Sequence, residues 1–168
     1  MIPKHIQNTW LPPAKQKHYE EVFKMYGAWE FSGLDRDKRV NMIYKFMRSV
    51  EAIDKLGMRP VCNDQLGMLI NEILTVRTKH AKGDTVLMRD FFKQKYWFGR
   101  SERQIAMYMQ KRDDEGKCLR RWQEVVQQNL REIERYLAEQ LEKLIPVHKN
   151  ANFLKKYLFF LDFSAYVL

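Results

Sequence analysis

The sequence has few of the residues and spacings that build metal sites. It contains two cysteines and four histidines in 168 residues, and no Cys-x-x-Cys or His-x-x-x-His spacing groups any of them. Because protein metal sites draw their ligands from such clusters, we expect neither a metal nor another cofactor. Cys62 and Cys118 are interpreted as small buried hydrophobic residues of a reducing cytosol, with Cys118 on the inner stripe of a helix.

Motifs of the common enzyme classes are also missing. The chain has no glycine-rich phosphate loop after a strand, no Gly-x-Ser-x-Gly and no His-Glu-x-x-His, so the sequence indicates no catalytic residues and no enzyme. The acid pairs Asp35/Asp37 and Asp113/Asp114 are expected at helix starts, where carboxylates are favourable.

Long apolar segments are lacking as well. No run reaches the roughly 20 apolar residues that a membrane-spanning helix needs, and the first residues do not resemble a signal peptide. We therefore expect a protein of the cytoplasm without a membrane partner.

Positive charge is abundant, in an otherwise ordinary globular composition. The chain is 45% hydrophobic and 30% charged, with a formal net charge of +9. Its length fits one domain. The excess of lysine and arginine favours a polyanionic partner, most often a nucleic acid.

Apolar residues recur with helical spacing, and no segment alternates with the period of a strand, so we predict an all-α protein. Helices are expected over 14–26, 35–55 and 63–79, the last capped by Asn63 or Asp64. Residues 1–12 are expected to be irregular, and 28–33 are expected to form a connector whose aromatic side chains pack on the core. The predicted divisions are an N-terminal arm (1–13), a helical domain (14–146) and an aromatic C-terminal tail (147–168) that packs on the core or on a partner protein.

Residues 84–128 carry the most informative pattern. A first, apolar helix is expected to run into Gly99, the residue type that ends helices at least cost. Its apolar residues are Val86, Leu87, Phe91, Phe92 and Trp97. Ser101 and Gln104 then form a capping box, which starts a short helix. The buried stripe of that short helix is Ile105, Ala106 and Met109, and the helix is expected to stop within 111–114.

A long third helix is predicted from Glu115 to Ile145, with Pro146 ending it. Its predicted inner face begins with Cys118, Leu119, Trp122, Val125 and Val126 and continues through Leu130, Ile133, Leu137 and Leu141. Its predicted outer face holds Lys117, Arg120, Gln127 and Arg131, with Arg121 on one flank.

A short helix, a turn and a second helix with a basic outer face form the layout of a helix-turn-helix that reads DNA. The predicted DNA-binding residues are Arg100, Arg103, Lys111, Arg112, Lys117, Arg120, Arg121 and Gln127. The alternative is that this is ordinary helical surface, because any small helical protein contains two helices joined by a turn.

Three motifs in this order resemble a family of late-gene antiterminators of lambdoid phages, the small zinc-free Q class. The first is Val22 with Gly27-Ala28-Trp29, and the second is Asp64 with Leu69-Ile70. The third is Tyr96, Gly99, Ser101, Arg103 and Ile105-Ala106. The likeness covers roughly residues 16–142, although the turn after Met109 is longer than the family pattern.

The resemblance implies a helix-turn-helix similar to the promoter-reading domain of sigma factors. It implies a factor that binds a double-stranded DNA element overlapping a late promoter. The factor then loads onto paused bacterial RNA polymerase that still holds sigma, and stays near the nascent RNA in the exit channel. Arg131 and Arg135, expected to face solvent, are candidate polymerase contacts.

Two other functions remain open at the level of the sequence. One is a conventional helix-turn-helix regulator that leaves polymerase after initiation. The other is a helical adaptor that binds protein alone, with its basic surface serving solubility.

Overall fold

The computed structural model describes residues 2–33, 62–76, 78 and 84–159, and within them every regular element is a helix. The α-helices are α1 (Lys4–Gln7), α2 (Pro13–Gly33), α3 (Asp64–Thr75), α4 (Thr85–Tyr96), α5 (Glu102–Lys111), α6 (Leu119–Leu144) and α7 (Ala151–Leu154). Short 3-10 helices follow α6 and α7 at Ile145–Val147 and Lys155–Tyr157. The predicted all-α class is confirmed, and the helix predicted over 35–55 lies outside the described residues.

A large core joins α2, α3, the end of α4, the second half of α6 and the segment after it. Its buried side chains are Tyr19, Val22, Phe23, Tyr26, Trp29, Cys62, Leu66, Leu69, Ile70, Ile73, Leu74, Phe92, Tyr96, Ile133, Leu137, Ala138, Leu141, Ile145, Leu154, Tyr157 and Leu158. The C-terminal tail, as far as Phe159, therefore packs on the core, as expected. No helix among the described residues is both long enough and apolar enough to cross a membrane.

A small core joins α4, α5 and the first half of α6. Its buried side chains are Phe91, Ile105, Ala106, Trp122, Val126 and Leu130. Helices α4 and α6 both belong to the two cores, so these two elements join the small core to the rest of the described structure.

The connector predicted at 28–33 is wrong, because α2 runs through it to Gly33. Glycine is required at position 27 because of the packing between two helices. A Cβ at Gly27 would lie 1.9 Å from the Tyr96 carbonyl oxygen, so only glycine lets α2 approach the end of α4. Trp29 is buried as expected.

Trp29 also joins α2 to α3. Its indole Nε1 donates a hydrogen bond to Asp64 Oδ1 at 2.8 Å, and a Cβ at Gly67 would lie 2.4 Å from its ring. The side chain of Asn63 caps α3 by accepting from the Leu66 N–H, as predicted, but α3 ends at Thr75, earlier than the predicted Lys79.

Three further expectations are corrected. The N-terminal arm is not wholly irregular, since it contains α1. The long helix starts at Leu119, four residues later than predicted. Cys118 is consequently the exposed residue before that helix and not part of its buried stripe.

Candidate nucleic-acid interface

The short helix α5 begins with the capping box that the sequence predicts. The Ser101 hydroxyl oxygen accepts from the Gln104 N–H at 3.2 Å, and Gln104 Oε1 accepts from the Ser101 N–H at 2.9 Å. Gly99 lets the chain leave α4 by adopting a positive φ of 66°, which costs glycine little. These local features place Arg100 and Arg103 at the start of α5, and both are exposed.

The turn between α5 and α6 is organised by Asp113. Its carboxylate accepts from the backbone N–H groups of Glu115 at 2.9 Å and Lys117 at 3.1 Å, and from the Trp122 indole N–H at 2.9 Å. The hydrogen bond from the Glu115 N–H, together with those from Trp122 and Lys117, lowers the pKa of Asp113. The prediction that Asp113 lies at a helix start is wrong, because this carboxylate instead holds the turn against the small core.

The first turns of α6 present arginines to solvent. The side chains of Arg120 and Arg121 are 81% and 66% exposed, and they lie 3.9 Å and 3.5 Å from the Glu124 carboxylate. Ion pairs this long and this exposed contribute little to stability. The arginines can therefore exchange Glu124 for a phosphate or a base edge at low cost. Trp122 and Val126 point inward and belong to the small core.

An open depression of about 510 Å³ lies between the starts of α5 and α6. Its lining residues are Ile2, Gln7 and Trp10 from the N-terminal arm, Glu102 and Arg103 from α5, and Arg120, Gln123, Glu124 and Gln127 from α6. It brings together three of the predicted DNA-binding residues, Arg103, Arg120 and Gln127. Sequence reasoning missed Gln123, although its spacing of three from Arg120 and four from Gln127 puts all three on one face of a helix.

The other predicted DNA-binding residues lie outside this depression. Arg100 and Arg112 lie against the Tyr108 ring, with each guanidinium carbon within 6 Å of the ring centroid (5.6 and 5.3 Å). Lys117 lies in the turn, 5.1 Å from the centroid of the Trp122 ring. Lys111 is the exposed last residue of α5.

Arg131 does not face solvent, which corrects its predicted place on the outer face. Its side chain is only 18% exposed, and its guanidinium lies 3.0 Å from the carboxylates of both Glu20 of α2 and Glu134 of α6. It also approaches Glu102 of α5 at 3.5 Å. Arg135 is 25% exposed and paired with Glu132 and Glu139 of its own helix. Neither arginine is therefore a free surface charge.

Glu134 is the centre of this ion-pair network and is fully buried. Its carboxylate accepts from Lys95 at 3.0 Å, from the Tyr96 hydroxyl at 2.7 Å, and from Arg131 and Gln16. Burial and the nearby Glu134 raise the pKa of Tyr96, so its hydroxyl keeps its proton and donates. The network therefore links α2, α4, α5 and α6 at the boundary between the two cores.

The family model described as phage antitermination protein Q matches residues 16–141. The chain belongs to this family. No curated protein and no solved structure matches it. Membership assigns the chain to transcription antitermination, a regulatory role that involves RNA polymerase.

The matched range runs from α2 almost to the end of α6, so it contains the whole small core, most of the large core and the residues of α6 that line the depression. The motifs that carry the resemblance also meet in space. Gly27 contacts the backbone of Tyr96, and Trp29 binds Asp64. Their spacing in the sequence therefore reflects the packing of α2 against α3 and α4.

Proposed function

We propose that this protein is a late-gene antitermination factor that acts in the cytoplasm of a phage-infected bacterium. It binds a double-stranded DNA element overlapping a late promoter, through α5, the turn and α6 acting as a helix-turn-helix. It then loads onto paused RNA polymerase that still holds sigma, and it promotes readthrough of terminators. Family membership supports the antitermination role, and the arrangement of α5 and α6 supports the DNA-binding step.

One observation carries the DNA-binding proposal. Arg120, Gln123 and Gln127 share one face of the first turns of α6, and Arg103 at the start of α5 lines the same depression. Arginine and glutamine are the side chains that best form paired hydrogen bonds to guanine and adenine in the major groove. A face of this kind at the N-terminal end of the second helix is the usual position for base contacts in a helix-turn-helix.

The roles within this surface follow from the position of each residue. Arg120, Gln123 and Gln127 are proposed to contact base edges. Arg103, Arg121, Lys111 and Lys117 are proposed to contact phosphates and so to fix the orientation of the protein on the duplex. Arg100 and Arg112 stack on aromatic rings of the opposite flank of α5, so we assign them to a separate contact.

Binding of the intact chain to a labelled duplex that spans the late promoter of its own phage tests this proposal. We expect Arg120→Ala to weaken specific binding by about 1–3 kcal/mol and to relax preference at one base pair. The matched control is Lys143→Ala, which removes an exposed positive charge near the other end of α6 and should leave the affinity unchanged.

Unchanged affinity in Arg120→Ala, Gln123→Ala and Gln127→Ala, with the wild type still specific for its element, would overturn the assignment of α6. Failure of the wild type to distinguish its promoter from a scrambled duplex would favour the protein-binding adaptor instead. Specific binding without any readthrough would favour the conventional regulator.

A further inference from the structure

Two aromatic rings are exposed on the flank of α5 that faces away from the depression. Phe98 is 57% exposed and Tyr108 is 39% exposed. Tyr108 follows Arg103 by five positions, which places the two side chains about 140° apart around an α-helix. The surface around Tyr108 is therefore separate from the proposed duplex-reading surface.

Arginines alternate with these rings. The Arg100 guanidinium carbon lies 5.7 Å from the centroid of Phe98 and 5.6 Å from that of Tyr108. Arg112 lies 5.3 Å from the Tyr108 centroid, and its Nη1 donates to the Tyr108 hydroxyl at 2.6 Å. We call the sequence Phe98, Arg100, Tyr108 and Arg112 the aromatic–arginine row.

Gln94, which is only 4% exposed, fixes the position of Arg100 within the row. The Arg100 N–H donates to the Gln94 carbonyl at 3.0 Å, and Arg100 Nη1 donates to Gln94 Oε1 at 3.2 Å. The amide of Gln94 in turn donates to Asp90 at 2.7 Å. The buried side chain of Gln94 thus holds the Arg100 guanidinium in one orientation.

The positive charge of the row is not neutralised by a direct ion pair. Among the described residues, no carboxylate lies within 4.0 Å of the guanidinium of Arg100 or Arg112, in contrast to Arg120, Arg121, Arg131 and Arg135. Arg100 is linked to an acid indirectly, through Gln94 to Asp90. Exposed rings beside uncompensated guanidinium groups fit a partner that is both flat and anionic.

We propose that the aromatic–arginine row binds unpaired nucleotides of a single-stranded nucleic acid. The bases stack on Phe98 and Tyr108, and Arg100 and Arg112 bind the phosphates. A duplex does not suit this surface, because its bases are stacked inside the helix and offer edges instead of faces. The proposal rests on these four side chains and not on the duplex-reading role of α6.

Fluorescence anisotropy with the full chain tests the proposal. The probes are a labelled oligouridine, oligodeoxyuridine and oligothymidine of about 12 nucleotides each, within the range of site sizes seen for single-strand binders, and a mixed-sequence duplex. We expect Phe98→Ala and Tyr108→Ala each to weaken single-strand binding by about 5- to 100-fold, whereas Tyr108→Phe retains most of it because the ring remains.

Phe153→Ala is the matched control, since Phe153 is another exposed aromatic ring, 65% exposed, but lies in α7. We expect it to bind like the wild type. Arg100→Lys separates charge from planarity, because lysine keeps the charge and loses the flat guanidinium, and it should weaken binding. Circular dichroism of each variant checks that the helices are intact.

Comparison of the single-stranded probes distinguishes RNA from single-stranded DNA as the partner. Preference for oligouridine over both oligothymidine and oligodeoxyuridine identifies RNA, because oligodeoxyuridine differs from it only in lacking the 2′-hydroxyl groups. Equal or stronger binding of the deoxy probes identifies a melted DNA strand. Wild-type affinity of folded Phe98→Ala and Tyr108→Ala would overturn the proposal. It would also be overturned if Phe153→Ala lost as much affinity, or if duplex affinity fell by the same factor. None of these outcomes depends on promoter recognition, which is tested separately through Arg120.

Discussion

The two halves of α6 lie in different surroundings. The first half packs Trp122, Val126 and Leu130 into the small core, whereas the second half packs Ile133, Leu137 and Leu141 into the large core. The helix has 26 residues, which corresponds to a length of about 39 Å. A surface at its start is therefore joined by one rigid element to the body of the protein.

The boundary between the two halves is polar. Arg131 and Glu134 lie where one core ends and the next begins, and their partners come from α2, α4 and α5. The small core is built from six buried side chains among the described residues, so its segment gains less from apolar burial. We infer that the orientation of α5 relative to the body depends on the ion-pair network as well as on apolar packing.

The largest expected effect falls on the large core. Gly27→Ala should lower the free energy of unfolding by about 3 kcal/mol or more, because the new Cβ meets backbone that cannot rotate away. Urea denaturation followed by circular dichroism measures it. Lys17→Ala, an exposed change on the same helix, is the control and should have little effect. Stabilisation by Gly27→Ala, as for an ordinary helical glycine, would contradict the close approach of α2 and α4.

The next effect separates the two cores. Glu134→Gln should lower the free energy of unfolding by about 2 kcal/mol, because the amide lacks the buried negative charge that pairs with Lys95 and Arg131. Hydrogen exchange should show a greater loss of protection in α5 than in α3. Glu139→Gln, at a half-exposed position on the same helix, should change little. Equal loss of protection in α3 and α5 would show that the network does not act at the boundary.

A smaller loss of stability is expected from the N-terminal cap of α5, one of the helices that form the small core. Ser101→Ala removes the hydroxyl that caps α5 and should lower stability by about 1 kcal/mol. Ser101→Thr keeps a capping hydroxyl and serves as the control. Thermal unfolding measures both variants, and indistinguishable melting temperatures for Ser101→Ala and the wild type would argue against the capping box as a stabilising feature.

The smallest effect is local and depends on pH. The pKa of Asp113 is lowered in the folded protein. The stabilisation of the turn by its carboxylate is therefore complete above the ordinary aspartate pKa of about 3.9, and it is lost as the pH falls through the lowered pKa. The protection factors of the Glu115 and Lys117 amides, which compare their exchange with that of the unfolded chain at the same pH, should therefore fall in acid. In Asp113→Asn this acid-dependent fall should be absent, and its persistence would show that another group controls the turn.

Much of the local structure could be predicted from the sequence. The cap at Asn63, the capping box at Ser101 and the end of α4 at Gly99 each depend on a few neighbouring residues, and the structure contains all three. The apolar stripe of α6 was also predictable, because its helical spacing persists through both cores.

Tertiary features account for what the sequence did not reveal. The sequence around Gly27 predicts a helix end, but Gly27 lies inside α2 and allows that helix to pack closely against the end of α4. The sequence places Asp113 at a helix start, but its carboxylate instead stabilises a turn, in part by accepting a hydrogen bond from the Trp122 indole. Arg131 lies on the polar side of α6, and only the approach of Glu20 and Glu102 makes it structural. The row formed by Phe98, Arg100, Tyr108 and Arg112 likewise depends on how the chain leaves α4.

Transcription with purified components tests the central claim most directly. The template carries the late promoter of the phage that encodes this chain, followed by a terminator, and the fraction of transcripts extending past the terminator is measured with bacterial RNA polymerase and sigma. We predict that the wild type and Lys143→Ala raise readthrough, whereas Arg120→Ala at the same limiting concentration raises it less. No readthrough with the wild-type protein on its own promoter would contradict the account.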